Sequence, residues 1–139
     1  MISSPEEFIR LRSSDDPTEY RRAVEDGAPE SVWLHIIELY PTQRRNVALN
    51  RKLPESVQWR LVRDESPLVR FEIAMRRQLT AEMLEVLAND PDETVRTRVC
   101  YNAHTPRKVL QRLARDGSTL VAEAAIDRIK MLGDEADSF

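Results

Sequence analysis

The chain has 139 residues, with 41% apolar and 32% charged side chains and a net charge of −3. That length suits one domain with enough apolar material for a core, which excludes wholesale disorder. Three glycines and eight prolines give too little turn chemistry for an all-β fold, and the single Cys100 excludes an internal disulfide. The longest apolar runs, such as Val32-Trp33-Leu34 and Ile36-Ile37, are far too short to cross a bilayer. The segment Met1–Glu7 has neither the basic nor the apolar region of a signal peptide. These features predict an all-α, soluble, cytoplasmic protein without a membrane anchor.

At the N-terminus, Ser4-x-x-Glu7 before Phe8, Ile9 and Leu11 reads as a capping box opening a helix. Asp16-Pro17 opens a second helix through Tyr20, Ala23 and Val24, which Gly27 is expected to stop. Residues 1–27 are thus assigned as an N-terminal helical cap.

From residue 28 onward the chain repeats. Leu61, Asp64, Val69-Arg70 and Ile73-Ala74 recur 26 residues later as Leu87, Asp90, Val95-Arg96 and Val99-Cys100. A second shift of 26 gives Leu113, Asp116, Val121-Ala122 and Ala125-Ile126. An earlier unit, Ala28-Pro29-Glu30-Ser31-Val32, matches Leu53-Pro54-Glu55-Ser56-Val57 at a shift of 25. Four units follow, at about 28–52, 53–78, 79–104 and 105–130.

Each unit reads as two short helices. The first has apolar residues at i, i+1 and i+4, as in Met83, Leu84 and Leu87, which is helical spacing. The second begins after an acidic or proline-containing turn and buries Val69, Ile73 and Ala74, or Val95, Val99 and Cys100. On the same alignment Gln43 faces inward in the first unit, and His104 ends the second helix of the third. Helices this short do not persist alone, so each pair must stack on its neighbours. The predicted fold is a short α-solenoid of about four two-helix repeats over residues 28–132. Residues 133–139 form an acidic, disordered tail.

Residues 79–96, Leu-Thr-x-Glu-x-Leu-x-x-Leu-Ala-x-Asp-Pro-Asp-x-x-Val-Arg in pattern, resemble HEAT-like repeats, in particular the leucine-rich repeat variant type. The resemblance covers about 28–130 and implies a right-handed solenoid. It also implies that an Asp and an Arg six residues apart bridge neighbouring units, here Asp64 with Arg70 and Asp90 with Arg96. The last unit departs, with Asp116 kept but Ala122 in place of Arg, and the first keeps Arg44 but lacks the Asp. One group of variant-repeat proteins carries an iron–sulfur cluster, which a chain with one cysteine does not hold in that way. No cofactor is therefore expected.

Catalytic and metal-binding signals are weak. His35 and His104 fall in different units without ligand spacing, and no glycine-rich phosphate loop occurs. Cys100 falls on the buried register, where a small thiol fills a core slot. Asn50 and Asn102 precede the next unit and are expected to satisfy backbone groups at helix ends. The chain is read as a non-enzyme without a metal site.

The remaining signal is the exposed side of the second helices. In a HEAT-like stack these helices line one, usually concave, surface. Leu49, Leu68, Phe71, Met75 and Tyr101 fall there as an apolar strip, flanked by Arg45, Arg76, Arg77 and Arg98. Apolar patches edged with arginine mark protein interfaces. The competing reading is that neighbouring units cover these side chains. Charge distribution allows two functions. Residues 41–115 carry 15 Lys+Arg against 9 Asp+Glu, between acidic segments 1–40 and 116–139. The first reading is a protein-binding module, with a bacterial toxin as the partner if the chain is an immunity protein, as the resemblance suggests. The alternative is nucleic-acid binding through the basic middle, as in HEAT-like alkylpurine DNA glycosylases. Against it, Glu72, Leu68 and Met75 interrupt any continuous basic stripe.

Overall fold

The computed structural model describes residues 1–133 and is all-helical, with no strand among them. The elements in order are α1 (Pro5–Arg12), α2 (Pro17–Glu25), α3 (Glu30–Leu39), a single 3-10 turn (Pro41–Gln43) running into α4 (Arg44–Ala48), α5 (Glu55–Val62), α6 (Pro67–Ala74), α7 (Ala81–Ala88), α8 (Glu93–Cys100), α9 (Arg107–Leu113) and α10 (Thr119–Leu132). The expected tail lies, apart from Gly133, outside the described residues. No helix among the described residues is long and apolar enough to cross a membrane.

Local chemistry sets the helix starts. Ser4, Asp16, Thr80 and Asp92 are N-caps whose side-chain oxygens accept first-turn backbone N–H groups. Pro29, Pro54 and Pro106 occupy the same place before α3, α5 and α9. Between the helices of each later pair one turn recurs. Asp64, Asp90 and Asp116 each accept, through Oδ1, the N–H two residues on, at 2.9 Å in all three cases. The same turn thus recurs at steps of 26 residues.

Three local expectations are corrected. Ser4 caps α1, but Glu7 does not close a capping box on Ser4; its Oε2 accepts from Ser3 N and Ser3 Oγ at 3.2 and 2.6 Å. Gly27 does not terminate α2 in a left-handed conformation. The helix ends at Glu25, Asp26 is extended, and the Gly27 carbonyl accepts the Ile2 N–H at 2.9 Å. His104 does not end a helix, since α8 stops at Cys100 and His104 is exposed beyond it.

The chain divides into two compact units, one spanning Met1–Ile73 and one beginning at Ala74. In the first, α1 packs on α2 and α3, and both α3 and α4 pack on α5. Its core centres on Trp33, wholly buried, with the Phe8 ring edge-on at 5.4 Å and 80°. The sequence-assigned cap therefore shares a core with the helices that follow it. Gln43, expected to face inward, is half-buried and accepts from Asn46 Nδ2 at 2.9 Å. In the second unit, α7 and α8 pack on each other, and α9 and α10 pack on that pair. Met83, Leu84, Leu87, Val95, Val99 and Cys100 are all fully buried there.

Buried amides tie successive helix pairs together. Asn50, wholly buried, donates to the Ala23 and Asp26 carbonyls at 2.9 and 2.8 Å and accepts the Lys52 N–H at 2.8 Å. Asn102 donates to the Arg76 carbonyl, 26 residues back, at 2.8 Å and accepts the His104 N–H at 2.9 Å. Both amides satisfy carbonyls that a helix C-terminus leaves without an intrahelical partner.

Candidate protein-binding surface

The residues of the expected strip belong to two units and are described in turn. In the first unit, Leu68 and Leu49 are 57% and 39% exposed. Phe71 is only half-buried rather than open, so it is a partial contributor. Arg45 is exposed, but Glu72 Oε1 takes its Nη2 at 2.8 Å, so its charge is locally answered. In the second unit, Met75 and Tyr101 are 44% and 56% exposed. Arg77 is exposed, whereas Arg98 is half-buried, against expectation, with its guanidinium 6.0 Å from the Tyr101 ring centroid. Neither has a carboxylate partner among the described residues. Arg76 is half-buried, and burial lowers its affinity for a proton.

Leu49, Met75 and Tyr101 occupy one position of the repeat, the residue just after the second helix. All three are large apolar side chains and exposed, and the residue 26 further on is Asp127. The core positions of the same helices, Val47, Ala48, Ile73, Ala74, Val99 and Cys100, are sealed.

The Asp and Arg residues named from the sequence serve the scaffold. Arg70 and Arg96 each donate through Nη1 to the backbone carbonyl six residues earlier, of Asp64 and Asp90, at 2.7 Å. Their registers also form ion pairs 20 residues on. Arg44 meets Asp64 at 3.4 Å, and Arg96 grips Asp116 with two hydrogen bonds of 2.9 and 3.1 Å. Arg44 and Asp116 were the two unmatched residues in the sequence pattern. Each belongs to one of these two pairs, in which an Arg holds the Asp 20 residues on.

The Arg96 hydrogen bonds hold the Asp116 carboxyl below its usual range. A depressed folded-state value contributes stability above the unfolded value of about 4, which is lost as pH falls through the folded one. Asp116→Asn keeps the turn acceptor and removes the charge. It is expected to cost about 1–2 kcal/mol at neutral pH and progressively less as pH falls below about 4 and through the folded value, checked by urea midpoints at neutral and acid pH.

Among the described residues no three His, Cys, Asp or Glu side chains cluster as metal ligands would. The Cys100 thiol is buried and pushed up to about 11 by desolvation, which disfavours the nucleophilic thiolate. A cleft of about 230 Å³ in the first unit is lined by Ile37, Arg44, Arg60, Arg63, Asp64 and Glu65. Arg44 is paired there with both carboxylates, Arg60 reaches Glu38, and Arg63 lies over the Trp59 ring at 4.7 Å. No protein-family model, curated protein or solved structure matches this chain.

Proposed function

We propose that the chain is a non-catalytic protein-binding module, built as a short right-handed α-solenoid of four HEAT-like helix pairs behind an N-terminal cap. The recurring Asp turn and the Arg–Asp ties support the repeat reading. The binding reading rests on one observation, the exposed Leu49, Met75 and Tyr101 at a single register position. Large apolar side chains left about half exposed at a repeated position cost solubility and bury only part of their surface. Such side chains beside arginine are the usual anchors of protein interfaces. Arg77 and Arg98 add unanswered positive charge in the second unit, which suits a partner bearing carboxylates there. A toxin is the partner class that the family resemblance implies, with the chain as its immunity protein.

The nucleic-acid alternative draws less support. Much of the basic middle is taken up locally, as Arg44, Arg45, Arg96 and Arg112 pair with Asp64, Glu72, Asp116 and Glu85. A phosphate-tracking surface needs free cations in series.

The test is capture of partners from a bacterial lysate by the intact chain and by the Met75→Asp/Tyr101→Asp double variant. Both side chains are exposed, so the variant is expected to keep its circular dichroism and melting temperature. Partner recovery is expected to fall about tenfold or more. Equal recovery of every captured protein removes the surface from consideration. Duplex binding that persists at moderate salt supports nucleic acid instead.

A further inference from the structure

Among the described residues, the helix pair α9–α10 leaves exposed a register position that is sealed in the preceding pairs. Ala48, Ala74 and Cys100 share a register and are 1%, 0% and 0% exposed. Cys100 is sealed by α10, with its Sγ 3.8 Å from the Val121 carbonyl oxygen. The next residue in that register is Ile126, larger than its counterparts and 39% exposed. Ala114 and Ala122, the counterparts of Ala88 and Arg96, are half-buried, as is Ile129. Ala122, Ile126 and Ile129 follow the i, i+4, i+7 spacing of one helical stripe. The terminal face of a repeat array is ordinarily polar; this one is apolar and uncharged.

Two observations indicate what covers it. First, the face is ill suited to a further pair of the same kind. Arg44 and Arg96 hold Asp64 and Asp116 of the following pair, and Ala122 has no charge with which to do so. Second, the flank of the stripe is self-complementary. Glu123 and Lys130 are exposed, lie three residues before and four after Ile126, and have no ionic partner among the described residues. Seven residues is about two helical turns, so both project from the same side of α10. If two α10 helices cross antiparallel near Ile126, each Glu123 faces the other copy's Lys130. An uncharged centre with reciprocal charges beside it is what a two-fold interface requires, because each surface must complement itself.

We propose that this face is a homodimer interface, in which the α10 stripe of Ala122, Ile126 and Ile129 packs against the same stripe of a second copy. Glu123 and Lys130 set the antiparallel register. The interface does not use Leu49, Met75 or Tyr101; it rests on the proposed repeat reading but not on the partner-binding one.

Sedimentation equilibrium of the full chain over a range of concentrations tests the proposal. The unaltered chain is expected to show a monomer–dimer equilibrium, and Ile126→Glu to be monomeric throughout with an unchanged helical circular dichroism spectrum. Glu123→Lys and Lys130→Glu are each expected to weaken dimerisation roughly tenfold by placing like charges opposite each other twice. The double variant Glu123→Lys/Lys130→Glu is expected to restore it. This charge swap involves only exposed side chains, so it decides the matter even if Ile126→Glu folds poorly. A monomer at every concentration overturns the proposal. So does a dimer that is indifferent to the single charge reversals, or one that the double variant fails to recover.

Discussion

Asn50→Ala is expected to cost about 2–4 kcal/mol, an unusually large effect for one small polar side chain. The amide is wholly buried and makes three backbone hydrogen bonds, to the Ala23 and Asp26 carbonyls and from the Lys52 N–H. Truncation leaves those groups without this partner in a site water does not reach, and each carries a desolvation penalty. Asn50→Asp separates shape from chemistry. Its carboxylate keeps the acceptor for Lys52 but turns negative oxygen toward two carbonyls. It is expected to be worse than alanine at neutral pH and to recover in part below about pH 4, where a protonated carboxyl can donate again. The sign follows from linkage: a carboxyl that the fold holds more readily in its neutral form gains stability as pH falls. Urea midpoints of both variants at neutral and acid pH measure this. If alanine costs no more than a surface substitution, the amide is not a structural tie.

Trp33→Ala is expected to destabilise by about 3–5 kcal/mol, the range for emptying a large aromatic site in a packed core. Trp33 is fully buried against Phe8, so truncation also removes an edge-to-face ring contact. The indole Nε1 is buried and has no hydrogen-bond acceptor. Trp33→Phe deletes that unsatisfied donor along with some volume, and the two effects oppose each other. Phenylalanine is therefore expected to cost well under half as much as alanine. Thermal or urea unfolding of the two variants checks the ratio. Equal losses overturn this account, because they mean that neither the retained ring volume nor the removal of the lone N–H offsets any of the damage.

Much of the scaffold was legible because a repeat states its rules several times. The Leu61, Leu87 and Leu113 series and the Asp64, Asp90 and Asp116 series each mark one place in a helix pair. The unmatched Arg44 and Asp116 also held information. An Arg without its own Asp at one end, and an Asp without its own Arg at the other, imply pairing from one unit to the next. The candidate surface was less legible. Helical spacing placed Leu49, Met75 and Tyr101 outside the core, where they are exposed, but it placed Phe71 and Arg98 with them, and these are half-buried. A helical wheel assigns a side chain to a face, whereas its exposure depends on what the neighbouring elements bring up against it. Likewise, sequence named Arg45 as an arginine flanking the strip, but only the fold brings Glu72, 27 residues away, within 2.8 Å of it.

Read alone, the amino-acid order determined the all-helical class and most helix starts, because capping residues and apolar spacing act over a few neighbouring positions. Tertiary structure decided the rest: which arginine meets which carboxylate, which carbonyls Asn50 and Asn102 hold, and that Ile126 stays uncovered where Ala74 and Cys100 are sealed. Those outcomes depend on groups 20 or more residues apart in the chain. Their meeting is set by how the helix pairs pack, and no local pattern encodes that.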